Sequence, residues 1–266
     1  MQNGVSFGLP YRRPRIAKPE DLPHLGEISA LGFKESDVFR YARPKGDEFF
    51  QDAVASFTNW FRSQMLDKRA LILVTEDWQP NEPDDYDPSF PLTGTAKEGE
   101  GKRVVVGVSA WYLPQESRRV GKFVSPAADV PDEVPSEDRD LCKERLDIFR
   151  KVKDEAECKY FKDIGPKNYE IDPRKSIRPT IICNKIVVHP AFQRLGHATA
   201  MLRWIQQLCN CDCLKQGVIS PRAVEPLFRK VGYETIGEMQ VPDDGDVRGF
   251  TQHVMWCHWI PAKVPV

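Results

Sequence analysis

The sequence predicts an α/β fold, and three observations carry that reading. The stretch from Ile181 to Leu208, IICNKIVVHPAFQRLGHATAMLRWIQQL, begins as a β-branched apolar run and continues as a helical pattern. A short strand followed by an amphipathic helix opens the chain at 15–33. Two further apolar runs, 70–74 and 104–113, flank a polar loop rich in Pro, Asp, Glu and Gly, as two strands joined by a long loop would.

Each element has its own signal. Arg15 to Lys18 reads as a strand. Pro19-Glu20-Asp21 opens a helix with acids in its first turn, where the helix dipole favours them. Leu22, Leu25, Ile28 and Leu31 follow at helical spacing, and Phe33 closes the helix. A second amphipathic helix spans 47–65, and its stripe of Phe49, Phe50, Val54, Phe57, Trp60 and Phe61 reads as core packing. Gly107, inside the strand 104–113, predicts a bulge or a close backbone approach. Residues 115–177 hold a Pro/Asp-rich loop, 126–135, and then a helix over 137–162 with Leu141, Leu146, Phe149, Val152 and Phe161 among charges of both signs. That pattern fits a solvated helix packed on the sheet edge; as an insertion it could also form a wall over a neighbouring site. Strand 217–221, helix 223–231 ended by Gly232, strand 233–241, a turn at 243–246 and strand 250–260 complete the chain.

Composition excludes several function classes. The 266 residues are long enough to bury a full core, and 41% hydrophobic with 29% charged residues is the balance of a soluble globular protein. A net charge of −1 carries no footprint of nucleic acid or of a membrane surface, and no apolar run reaches the length of a membrane span. The N-terminus has no apolar segment before its arginines, so it does not read as a secretory signal. Seven cysteines, an odd number, argue for free thiols in a reducing compartment, the cytoplasm. Cys209, Cys211 and Cys213 are spaced too closely for a structural zinc site, so no metal is expected there.

The central stretch carries the chemistry. Pro190 stops the strand by removing an amide donor. Ala200, Met201, Trp204, Ile205 and Leu208 then mark one apolar helix face. Between them, Gly196 and Ala198 are small enough to let another group approach the backbone. The amides of a helix start point outward with partial positive charge, which makes an anion site suited to a pyrophosphate. It is not a P-loop, because it lacks the lysine, nor a dinucleotide fingerprint, because it has one glycine where three are needed.

Val188-His189-Pro190 followed by Gln193-x-x-Gly196-x-Ala198 resembles the acetyl-coenzyme A signature of the GNAT N-acetyltransferase superfamily, and within it is most similar to the arylalkylamine branch. Downstream, Leu227-Phe228-Arg229-Lys230-Val231-Gly232-Tyr233 is similar to a second family motif. The resemblance implies a flexible arm, 1–12, and one GNAT-like domain, 13–261. Its sheet would be mixed and mostly antiparallel, flanked by helices, with insertions at 79–102 and 115–177, the second of them helical and lying between the third and fourth strands. It also implies an acetyl-CoA site. Ile186, Val187 and Val188 would hold the pantetheine, the backbone of Ile186 and Val188 bonding to it as to an added strand. Gln193 and the backbone amides of Arg194, Leu195, Gly196, His197, Ala198 and Thr199 would hold the pyrophosphate.

The implied function is transfer of an acetyl group to a primary amine, on a small molecule or a peptide, by direct attack in a ternary complex. The family's acid–base residues are missing, however. The two base positions fall on Ile182 and Asn184, and the general-acid tyrosine falls on Phe228. Tyr233 reads as core and His189 as a surface residue at the strand end. Ser220 and Asn184 are the candidate catalytic positions left, Ser220 as a donor to the thiolate, and no internal base is evident. These losses keep open a second class, a non-catalytic acyl-CoA-binding module acting as a sensor or binding a protein partner.

Overall fold

Leu71, Ile72, Leu73 and Val74 are apolar without alternation because both faces of their strand are covered. Leu71 and Leu73 enter one core layer, Ile72 and Val74 the other. The computed structural model describes residues 13–80, 99–161 and 180–257, and over these the strands form one seven-stranded sheet. They are β1 (Arg15–Ile16), β2 (Ala70–Gln79), β3 (Lys102–Tyr112), β4 (Thr180–Val188), β5 (Lys215–Pro221), β6 (Glu234–Val241) and β7 (Phe250–Cys257), in the order β1-β2-β3-β4-β5-β7-β6. Only β4 and β5 are parallel; every other neighbouring pair is antiparallel. The sheet is therefore mixed and mostly antiparallel, as expected.

Helices cover both faces. On one lie α1 (Leu22–Phe33) and α3 (Phe50–Leu66), whose Leu25, Ile28 and Phe61 pack with Ile72, Val74, Val108 and Val187. On the other lie α5 (His197–Asp212) and α6 (Glu225–Lys230), whose Leu202, Ile205 and Phe228 pack with Leu71, Leu73, Trp111 and Ile181. A short helix, α2 (Asp37–Ala42), lies where the sequence showed none, and six residues are too few to display a helical period. The Ser36 hydroxyl caps it, accepting from the Phe39 amide at 3.2 Å. The bulge foreseen at Gly107 is present: Gly107 pairs with Thr75 and Val105 with Glu76, leaving Val106 unpaired.

Between β3 and β4 the helix α4 (Lys143–Tyr160) begins six residues later than the periodicity suggested. Residues 115–142 carry only a 3-10 turn, Ala127–Asp129. Their path is fixed at Asp140, which is fully buried and paired with Arg43, itself bonded to the Ser56 hydroxyl at 2.7 Å. Instead of sitting at the sheet edge alone, α4 lies across the sheet face. Phe149, Val152, Ala156 and Tyr160, with Phe161, pack on Met239, Val241 and Val254 and reach Ile182 of β4 and Ile219 of β5. Its last turn sits on two glycines: a Cβ at Gly217 would meet the Phe161 ring at 2.8 Å, and one at Gly237 the Tyr160 ring at 2.4 Å. The strand expected over 70–74 runs on to Gln79. The arm 1–12, most of the loop 79–102, 162–179 and the end of the last strand lie outside the described residues.

Breaking a buried ion pair strands the remaining charge, which costs about 3–5 kcal/mol. Arg43→Met should therefore lower the urea unfolding free energy by that amount, and adding Asp140→Leu should restore most of it. A loss under about 1 kcal/mol for the single variant would mean that this pair does not hold the insertion.

Candidate functional site

The site begins where the sheet opens. β4 and β5 pair from Thr180↔Lys215 to Cys183↔Val218 and no further, although both strands continue. The separation coincides with a bulge: Lys185 pairs with Ala110 and Cys183 with Trp111, so Asn184 is the extra residue. The bulge also reverses which residues face which side. Ile181 and Cys183 face the α5 layer before it, and Ile186 still packs there after it, while Val187 faces α1 and α3. The His189 amide donates to Val106 O of β3 at 2.8 Å. By the alternation of an antiparallel ladder, the backbone of Val187 faces β3, and that of Ile186 and Val188 faces the opening.

The turn after β4 is held in an uncommon conformation. Arg194 has φ 65° and Gly196 φ 95°, both in the left-handed region. Gly196 is exposed, and a Cβ added there would meet nothing within 4 Å, so the space in front of the helix start is open. Ala198 and Thr199 lie in the first turn of α5, where helix amides lack intrahelical acceptors. This open, amide-lined space beside a split sheet suits a pyrophosphate with an extended arm. Gln193 is exposed and its side chain donates to Val188 O at 3.2 Å, bracing the turn against β4; Arg194 is exposed, and Leu195 packs against Met201, Phe192 and Val188.

At His197 the expected contact is the backbone amide, and the side chain is engaged elsewhere. It is buried, and its Nε2 lies 2.9 Å from Oδ2 of buried Asp77 on β2. The ring anchors the helix start to the sheet, leaving the residue only its backbone for a ligand.

His189 is likewise not a surface residue. It is 2% exposed, its Nδ1 accepts from the Ala191 amide at 3.2 Å, and its ring meets Phe192 edge-on. Burial pushes its pKa down to about 4, so it is neutral at physiological pH and too weakly basic to serve as a base. Phe228 and Tyr233 are both core residues. The Tyr233 hydroxyl donates to Gln216 Oε1 at 2.8 Å, and burial raises its pKa well above the usual value.

Ser220 lies on β5 beyond the last β4–β5 pair, 3% exposed, with its hydroxyl 3.8 Å from Met255 Sδ. Met255 belongs to the α5–α6 layer, so Ser220 borders the opening on that face. Asn184 forms the bulge, and its Oδ1 accepts from Lys185 Nζ at 3.4 Å. Lys185 is the residue the sequence reading passed over. A lysine inside the apolar run Ile181–Val188 was a visible signal, because an isolated cation in a buried strand needs a reason. Of the cysteine run that ends α5, Cys209 is buried in the core and Cys211 and Cys213 are exposed.

The chain is 42% identical over 245 residues to an acetyltransferase of Stachybotrys chartarum, which covers 92% of this chain and 90% of the relative. No family model matches it. The solved structure of histone acetyltransferase HPA2 and related acetyltransferase from Corynebacterium glutamicum shares the fold, with a TM-score of 0.52 at 15% identity over 95% of this chain and 98% of that one. An acetyltransferase of the GNAT family from Streptococcus pneumoniae aligns over 92% of this chain and 97% of its own, with a TM-score of 0.44 at 9% identity. The chain belongs to the same acetyltransferase family as the Stachybotrys chartarum relative. Among the described residues, no helix is long and apolar enough to cross a membrane.

Two outcomes follow from this geometry. Gly196→Ala and Gly196→Asp impose the same backbone strain, on the order of 1 kcal/mol, but only Asp adds a negative charge to the open space. Calorimetry with acetyl-CoA should show a modest loss of affinity for Gly196→Ala and a loss of at least ~100-fold for Gly196→Asp. Equal losses would detach the turn from the pyrophosphate. The second outcome concerns acid. Above pH 6.5 His189 is neutral folded or unfolded; between 6.5 and about 4 the unfolded chain takes up a proton that the folded chain refuses. The contribution of His189 to stability should fall through that window by up to about 3 kcal/mol and be constant below it. His189→Asn, which keeps an acceptor for the Ala191 amide, should flatten this part of the pH–stability curve.

Proposed function

We propose that the protein is an acetyl-CoA-dependent N-acetyltransferase that acts on a primary amine, of a small molecule or a peptide, by direct attack in a ternary complex. The observation that carries this reading is the opening of the sheet between β4 and β5 directly beside the left-handed turn at Gly196. The first offers unpaired backbone for an extended pantetheine, and the second offers helix amides for its pyrophosphate. Acetyl-CoA supplies an activated acyl thioester.

In this reading Ile186, Val187 and Val188 line the arm, with the backbone of Ile186 and Val188 as its partners. Gln193 braces the turn, and the backbone from Arg194 to Thr199 holds the phosphates. An amide facing the opening near Ile186 to Val188 supports the negative charge that develops on the carbonyl oxygen. Ser220 donates toward the sulfur. Residues 13–261 act as one domain, in a reducing, cytoplasmic setting that suits seven cysteines. No nucleic acid or membrane takes part. The Val188-His189-Pro190 spelling supports an amine of the kind the arylalkylamine branch accepts, although Ile182 and Asn184 replace that branch's histidines.

Ile182 and Phe228 at the family's acid–base positions favour a second reading, an acyl-CoA-binding module that senses the ligand or binds a protein partner. Thiol release from acetyl-CoA, measured against a panel of alkyl, aryl and peptide amines, separates the two. The enzyme should release one thiol per acetylated amine. Tight acetyl-CoA binding without turnover on any amine would favour the binding module.

A further inference from the structure

The opened sheet has a second side. The pyrophosphate turn and Ser220 belong to the α5–α6 face; on the other face, at the point of separation, stands Lys185. It is the first paired residue of β4 after the bulge. An unbroken strand would place it with Ile181 and Cys183 on the α5 face, and the bulge at Asn184 turns it toward α3. There its ammonium nitrogen lies 4.0 Å from the centre of the Trp60 ring and 5.7 Å from that of Phe57, and it donates to Asn184 Oδ1 at 3.4 Å.

The charged groups around Lys185 are of its own sign: Arg43 at the end of α2, and Arg150 and Lys153 on α4; the buried Cys183 thiol, whose own pKa burial pushes up, acts the other way. Arg43 is paired with Asp140, Lys153 with Glu157 and Arg150 with Asp147. Among the described residues, Lys185 has no carboxylate partner. Burial first, and then Lys153, Arg43 and Arg150, push its pKa down to about 7, near the working pH of a general base. Other titratable groups near the opening are committed elsewhere. His189 is buried, and the His253 ring is held with Nδ1 2.6 Å from Glu225 Oε2 and Nε2 3.8 Å from Glu238 Oε1.

We propose that Lys185 is the proton acceptor for the attacking amine, set in place by the Asn184 bulge and its bed of Trp60 and Phe57. The assignment rests on the N-acetyltransferase reading above. The balance is simple. The amine nitrogen forms a bond to the thioester carbonyl carbon, and its extra proton passes to the lone pair of neutral Lys185 Nζ. The carbon–sulfur bond then breaks, and the thiolate takes a proton from the Lys185 ammonium, which restores the neutral base. Asn184 is then a positioning residue acting through Lys185, because its side-chain oxygen accepts from the amine.

The test has two arms. The first needs no turnover. Trace labelling with acetic anhydride across pH, read by mass spectrometry at Lys185, should follow a titration near 7; one near 10, that of an ordinary lysine, would overturn the proposal. The second arm is kinetic. With an aryl amine, already neutral, wild-type kcat/KM should plateau above an apparent pKa near 7. Lys185→Arg keeps the charge but cannot give up its proton, and Lys185→Met keeps the stem. Both should bind acetyl-CoA by calorimetry as the wild type does, lose ~100-fold or more in kcat at neutral pH, and lose the inflection near 7. Asn184→Ala should shift the apparent pKa while leaving acetyl-CoA binding intact. An unchanged profile in Lys185→Met overturns the role of Lys185 alone. So does stable acetylation of Lys185 by acetyl-CoA without acceptor, which would make it a recipient of the acetyl group. Acetyl-CoA binding without turnover on any amine overturns the N-acetyltransferase reading and this role together.

Discussion

Everything at the site depends on one irregularity of the ladder, the unpaired Asn184 in β4. A strand paired on both sides has its backbone groups consumed by its neighbours. By adding one residue where β4 leaves β5, the bulge releases the outward backbone of Ile186 and Val188 from strand pairing, with Val188 O taken up by the Gln193 side chain, and changes the face on which each side chain lands. The neighbouring bulge at Val106 makes the same change of phase in β3. Val104 and Val106 pack with Met201 and Phe192, whereas Val105 and Val108 pack with the α1–α3 layer. Two adjacent strands thus switch phase together, so both layers stay filled while the sheet opens.

The division of labour between the two faces follows from this. The α5 face holds the rigid parts: the turn with positive φ at Arg194 and Gly196, and the buried His197–Asp77 contact that ties the helix start to β2. Buried polar pairs of this kind fix geometry. The α3 face carries the cations Arg43, Arg150, Lys153 and Lys185, with aromatic rings between them. Helix α4, an insertion by sequence, is part of this face, because its apolar side reaches Ile182 and Ile219 on the two parting strands.

Much of the fold was legible because its signals are local. The β-branched run, Pro190 and the small residues at Gly196 and Ala198 spell strand, turn and helix within twenty-eight residues, and the structure has them there. Three features were not legible. Helix α2 is shorter than two helical turns, so its only sequence signal is a capping serine. His189 precedes a proline and read as surface, but its amide is bound to β3 and Phe192 closes over its ring, both tertiary facts. The bulge leaves no mark in IICNKIVV, because Ile and Val suit either face of a strand covered on both sides. Nothing in the sequence therefore sets the direction of Lys185, and the second of the family's base positions falls on Asn184, one residue short of it.

The seat of α4 on Gly217 and Gly237 bears on how the chain is made. The helix leaves the ribosome before β5, β6 and β7 exist, so the surface it docks on is synthesised after it. Its apolar residues are sparse and interleaved with charges of both signs, which keeps a helix without its partner soluble while it waits. Docking then needs both glycines bare, because the rings of Tyr160 and Phe161 occupy the positions their side chains would take. Closure of the α3 face thus rests on contacts distant in sequence, and the face that carries Lys185 is complete only when the last hairpin is in place.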